Sequence, residues 1–139
     1  MEAEAQPASS EKVEPHPPER NFANAPTAPG EARAWIREVL GGHINGDKLY
    51  DLQLLLSELV TNSHRHTRTE QIHVAALRFP GLVRVEVSDD KTGPSLPRIG
   101  NDCDDGGRGL GEVVGLYADD WGVNVHAHRV TVWFEIKTG

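Results

Sequence analysis

Three short stretches of this 139-residue chain carry side chains whose type and spacing suit chemistry. The first is Glu58-Leu59-Val60-Thr61-Asn62, where four residues at helical pitch bring a carboxylate and a carboxamide onto one helix face, a turn apart. A carboxylate bordering an apolar surface can act as a base, and an amide oxygen is a hard ligand suited to Mg2+. The second is Gly106-Gly107-Arg108-Gly109-Leu110-Gly111, just ahead of a helical segment. Residues without side chains let backbone N–H groups approach an anion, and a helix N-terminus adds roughly half a positive charge, so this run is physically a phosphate cradle. No Gly-Lys-Ser/Thr follows it and Glu112 breaks G-x-G-x-x-G, which separates it from the Walker loop and the dinucleotide fingerprint. The third is Asp89, which a period of two places at a strand end on the same face as Val83, Val85 and Val87. There it can accept a hydrogen bond from an exocyclic amine such as that of adenine. Singly, each has a plainer reading: an exposed polar pair on an amphipathic helix, a glycine-punctuated loop end, a turn-starting aspartate.

Hydrophobic periodicity supplies the elements that must position these groups. Glu31 to Leu40 has apolar residues at Ala32, Trp35, Ile36 and Val39, one helical face, and Gly41-Gly42 ends it. A second helix runs from about Asp47 to about His66, with Leu49, Leu52, Leu55, Leu56, Leu59 and Val60 forming a stripe that would face a sheet. Alternation replaces this pattern in Gln71 to Phe79 and Leu82 to Asp89, and the Pro80-Gly81 turn between them predicts an antiparallel hairpin. Phe22 marks a short edge strand, kept at an edge by Pro26 and Pro29. Asp90 to Gly106 has no period and concentrates Gly, Pro and Asp, which predicts a loop; beyond the glycine run come a helix to about Ala118 and strands near Trp121 to Ala127 and Arg129 to Lys137. The order predicts an α+β fold: a two-layer sandwich whose mixed or antiparallel sheet is covered on one face by about three helices.

The totals bound the function. The length suits one domain, expected at 21–139, behind a disordered acidic Pro/Glu/Ala-rich tail at 1–20 that has too little apolar surface to offset the entropy of ordering. The net charge of −7, of which −3 lies in that tail, opposes direct nucleic-acid binding. With neither a signal peptide nor a long apolar run, the chain is expected to be cytoplasmic, without membrane contact. A single cysteine, Cys103, excludes an internal disulfide and a Cys-rich zinc site. His64 and His66 are too far apart around a helix to share an ion, and His126 and His128 can share a strand face but lack a third ligand. Trp35, Trp121 and Trp133 read as packing residues.

In their order these features resemble the GHKL superfamily of ATP-binding domains (gyrase, heat-shock chaperone, histidine kinase and MutL), and within it the short actinobacterial anti-sigma-factor serine/threonine-protein kinases. The matching segments are SELVTNSHRH at 57–66, VEVSDDKTG at 85–93, DDGGRGLGEVVGLYADDWGV at 104–123 and TVWFEI at 131–136, covering most of the chain from about Phe22 onward. The resemblance implies ATP and Mg2+ as cofactors. Asn62 would hold the metal bridging the phosphates, Glu58 would polarise the attacking hydroxyl, and Asp89 would hold the adenine amine. Gly93 would allow close approach of the nucleotide. Gly107, Gly109 and Gly111 would meet the phosphates with backbone amides in a nucleotide-binding turn that includes Arg108 and Leu110, and residues 94–106 would form a lid. The implied activity is transfer of phosphate to a serine of an anti-anti-sigma (STAS-type) antagonist by a factor that also binds a sigma factor; kinases of this branch are often homodimers, and the sequence leaves the oligomeric state open. Three positions depart from the family pattern: Lys91 stands where the first glycine of D-x-G-x-G belongs, Ser63 follows the metal-binding Asn, and Val130 lies near the place of a frequent lysine. Lys91 motivates the alternative of a catalytically degenerate partner-switching regulator.

Overall fold

The computed structural model describes residues 17–67, 69–90 and 110–138; the tail before residue 17 and the segment 91–109 lie outside them. The strands are β1 (Glu19–Ala23), β2 (Gln71–Phe79), β3 (Leu82–Asp90), β4 (Asp120–His126) and β5 (Arg129–Lys137), and the helices are α1 (Ala28–Leu40), α2 (Gly46–His66) and α3 (Leu110–Tyr117). The sheet order is β1-β2-β3-β5-β4, with every neighbouring pair antiparallel. The sheet is therefore purely antiparallel, the simpler of the two arrangements the sequence allows.

Local chemistry explains the boundaries. α1 opens at Ala28, three residues before the periodic stretch, because Pro29 sits in the first turn, where its missing N–H costs nothing. α2 opens at Gly46 because Asn45, in extended conformation, accepts the Lys48 N–H at 2.9 Å through its side chain. Gly81 supplies the positive φ, 74°, that the β2–β3 turn requires. β1 begins at Glu19, so the sheet takes in two residues that composition assigns to the tail, and the Ala76 N–H donates to the Pro18 carbonyl at 3.0 Å.

One face of the sheet buries the core. Val74, Val83, Val85, Val87, Val132, Phe134 and Ile136 meet Leu52, Leu55, Leu56, Leu59 and Val60 of α2, and α1 adds Ile36 and Leu40. The Phe22 and Trp35 rings meet edge to face at 5.9 Å, which ties β1 to α1. The other face is closed by its own side chains: the Arg84 guanidinium lies 4.0 Å from the centroid of the Trp133 ring and donates to Glu86 at 3.0 Å and Glu135 at 3.1 Å. Gly122 pairs with Trp133 across β4 and β5, and a Cβ there would come within 2.8 Å of the indole. Among the described residues no helix is long and apolar enough to cross a membrane.

Gly122→Ala is thus expected to destabilise the fold by about 1–3 kcal/mol, the usual cost of overpacking, because Arg84 holds the indole in place. Urea denaturation checks this: the glycine substitution should cost much less in a Trp133→Val background, and equal costs in both backgrounds would contradict the close approach.

Candidate functional site

α2 sets the first half of the site. Its leucine stripe must face the sheet, which leaves Glu58 and Asn62 half-buried at the border of the stripe, one turn apart. Among the described residues neither side chain has a hydrogen-bond partner. Ser63, the next residue, is buried at 3% exposure, and its hydroxyl donates to Oδ2 of Asp89 at the end of β3. Asp89 is itself buried, at 7% exposure, on the helix-covered face that it shares with Val83, Val85 and Val87. Its second oxygen, Oδ1, is buried with no hydrogen-bond partner among the described residues. Burial pushes the Asp89 carboxyl above the ordinary carboxylate range; the Ser63 hydrogen bond acts against that, neighbouring Asp90 reinforces it and Arg129 opposes it.

A polar knot holds this end of α2. Asn24 donates from Nδ2 to the Thr69 carbonyl at 2.8 Å, so its Oδ1, 2.7 Å from His64 Nδ1, accepts from a protonated ring nitrogen. The Asn24 N–H reaches the Glu70 carbonyl at 3.0 Å. Thr69 donates to the Gln71 carbonyl at 2.8 Å and accepts the Asp90 N–H at 3.3 Å. His64 thus has a structural partner in Asn24. Ser63, Asn24 and Thr69 were not among the residues singled out from sequence as site residues. Ser63 did carry a signal, since it continues the stripe Leu52, Leu56, Leu59 at helical spacing, and a hydroxyl inside an apolar stripe needs a partner.

α3 begins at Leu110, with Gly111 as its second residue, so both belong to the helix start and not to a turn preceding it; the first N–H groups of a helix have no partner within it and remain available to an anion. Gly93, Gly107, Arg108, Gly109, the 94–106 lid, Lys91 and Cys103 lie outside the described residues. α3 packs on α2 and β4 through buried Val114. A polar cavity of about 410 Å³, lined mostly from the other face of the sheet by Glu19, Asn21, His73, Ser88, Asp90 and Arg129, also reaches Asp89. No group of three or more metal-ligating side chains occurs among the described residues, and His126 and His128 are exposed.

A model of the histidine kinase-like ATPase domain family matches residues 22–134, and the chain belongs to that family. No curated protein sequence matches it. Among solved structures, the RsbU and RsbW domains of Rv1364c from Mycobacterium tuberculosis are similar, with a TM-score of 0.65 and 21% identity over 87% of this chain and 32% of that one. The chain therefore spans about a third of that relative's length, and at this identity the likeness bears on the fold. The five-stranded antiparallel sheet with its helices on one face is the GHKL-type fold.

The Asp89 environment predicts a pH dependence. Its pKa is raised in the folded state, so between the unfolded and folded values the folded protein binds more protons, and stability falls as pH rises through that interval. Asp89→Asn does not titrate. The melting temperature of this variant minus that of the unsubstituted chain should grow as pH rises from about 3.5 and level off above the folded pKa. Thermal melts in nucleotide-free buffer check this; a difference that is flat with pH contradicts the raised pKa.

Proposed function

We propose that the chain is a Mg-ATP-dependent protein serine/threonine kinase that acts in the cytoplasm as an anti-sigma regulatory factor and phosphorylates an anti-anti-sigma antagonist of the STAS type. The observation that carries this reading is the hydrogen bond from Ser63 to Asp89, which joins the helix of Glu58 and Asn62 to a buried strand-end carboxylate with one unpaired oxygen. An orphaned, buried carboxylate oxygen fits a donor such as the adenine amine, because leaving it unmatched costs on the order of 1–3 kcal/mol. Membership in the histidine kinase-like ATPase family supports nucleotide binding, the RsbW-domain likeness supports the fold, and the segments at 57–66 and 104–123 carry the resemblance that implies an antagonist and a sigma factor.

When bound, Mg-ATP supplies the phosphoryl group and most of the charge neutralisation. The chain's own residues position and polarise. Asn62 would hold the metal through its amide oxygen, and Asp89 Oδ1 would accept the amine. The N–H groups opening α3 at Leu110 and Gly111, together with the backbone of Gly107, Arg108 and Gly109, would face the phosphates, with Gly93 giving room for close approach. Glu58, free of partners among the described residues, would accept the proton of the attacking serine hydroxyl. A homodimer is part of the proposal.

Labelling of candidate antagonists with γ-phosphate-labelled ATP tests it. Glu58→Gln should lower transfer by about 10²-fold or more while the Kd for Mg-ATP stays unchanged, in line with the usual contribution of a general base. Transfer that persists in this variant overturns the role of Glu58. The second reading, a regulator that has lost nucleotide binding, is favoured by Lys91 in the place of a glycine. It predicts no calorimetric heat with Mg-ATP and a gain of binding in Lys91→Gly.

A further inference from the structure

We propose that Ser63 is a positioning residue that sets the preference of the nucleotide site for a 6-amino purine. The inference rests on the reading of Asp89 as the acceptor of the adenine amine. A carboxylate terminates a broad, roughly two-fold torsion and offers two equivalent oxygens, so alone it presents no unique acceptor. Ser63 removes that degeneracy. Its hydroxyl engages Oδ2 and leaves Oδ1 as the one unmatched acceptor on a side chain more than nine-tenths buried.

Ser63 is held in turn by its surroundings. It sits on the inward face of α2 in line with Leu56 and Leu59, and its carbonyl accepts both the Thr67 N–H at 3.1 Å and the Thr67 hydroxyl at 2.8 Å. Asp89 is held from the strand side by its pairing with Val130 of β5, while Thr69 accepts the next backbone N–H. Donor and acceptor thus come from two rigid elements, a helix and a central strand. A single fixed acceptor rewards a purine bearing an N–H at position 6. It gives nothing to one bearing hydrogen there and opposes one bearing a carbonyl oxygen.

Calorimetric titration of the full chain with ATP, purine riboside 5′-triphosphate and inosine triphosphate, each with Mg2+, tests this. The unsubstituted protein should bind ATP at least about tenfold more tightly than the other two, the usual worth of a hydrogen bond to a charged group. Ser63→Ala should weaken ATP by about tenfold and leave purine riboside triphosphate within about twofold, which collapses the preference. Ser63→Cys, nearly isosteric but a weak donor, should do the same and covers the case in which the alanine variant folds poorly. An equal loss for all three nucleotides, or a full ATP preference in either variant, overturns the role of Ser63 and leaves the assignment of Asp89 standing. An unsubstituted protein that binds the three equally, or none of them, overturns the Asp89 reading and this inference with it.

Discussion

Burial of the α2 leucine stripe on the valine face of the sheet is the constraint on which the rest of the molecule depends. Leu52, Leu55, Leu56, Leu59 and Val60 are all within 2% of full burial. Each contributes about 1.5–3 kcal/mol relative to exposure. No preference of a single polar side chain competes with a sum of that size, so the stripe dictates how α2 is rotated about its axis. A turn of one residue, about 100°, would expose the leucines and carry Glu58 and Asn62 away from the sheet. Their place at the border of the stripe is a by-product of packing, which leaves both side chains half-buried.

The same logic operates in the strand. β3 is central, paired with β2 on one side and with β5 over nine residues on the other. Its alternation drives Val83, Val85 and Val87 inward, and Asp89 follows them because the pleat has a period of two. A slip of one residue would put all four on the open face, so the register that buries the valines also buries the carboxylate. The cost of that burial is partly offset by Ser63, which arrives from the helix at the one place where stripe and pleat converge. Two independent apolar patterns thus determine a polar contact.

Much of this was legible in the sequence because it is local. The leucine period, the valine alternation and the Pro80-Gly81 turn each report on neighbours a few residues apart, and the β2–β3 hairpin and the inward Asp89 follow from them. The contacts between Ser63 and Asp89 and between Asn24 and His64 join residues 26 and 40 positions apart, and no period encodes such a pairing. The ends of elements were blurred for a different reason. Pro29 is a breaker inside a helix and harmless in its first turn, so its identity alone does not tell which side of the boundary it is on. Glu19 and Arg20 are polar because β1 is an edge strand with exposed side chains, which makes them resemble tail.

The same packing divides the proposed site between elements. The groups proposed for base recognition, Asp89 and Ser63, are buried at the edge of the apolar core, at the end of a central strand and in the last turn of the longest helix among the described residues. The helix start assigned to the phosphates belongs to α3, whose described side chains include one buried anchor, Val114, while Leu116 and Tyr117 are exposed. Val114 belongs to the core that α2 shares with the sheet, so α3 is tied to the same helix that carries Glu58 and Asn62. In the proposed reading the strand-end carboxylate and the hydroxyl that engages it would select the base while the start of α3 would meet the phosphates, so the two tasks would fall to separate elements joined through α2.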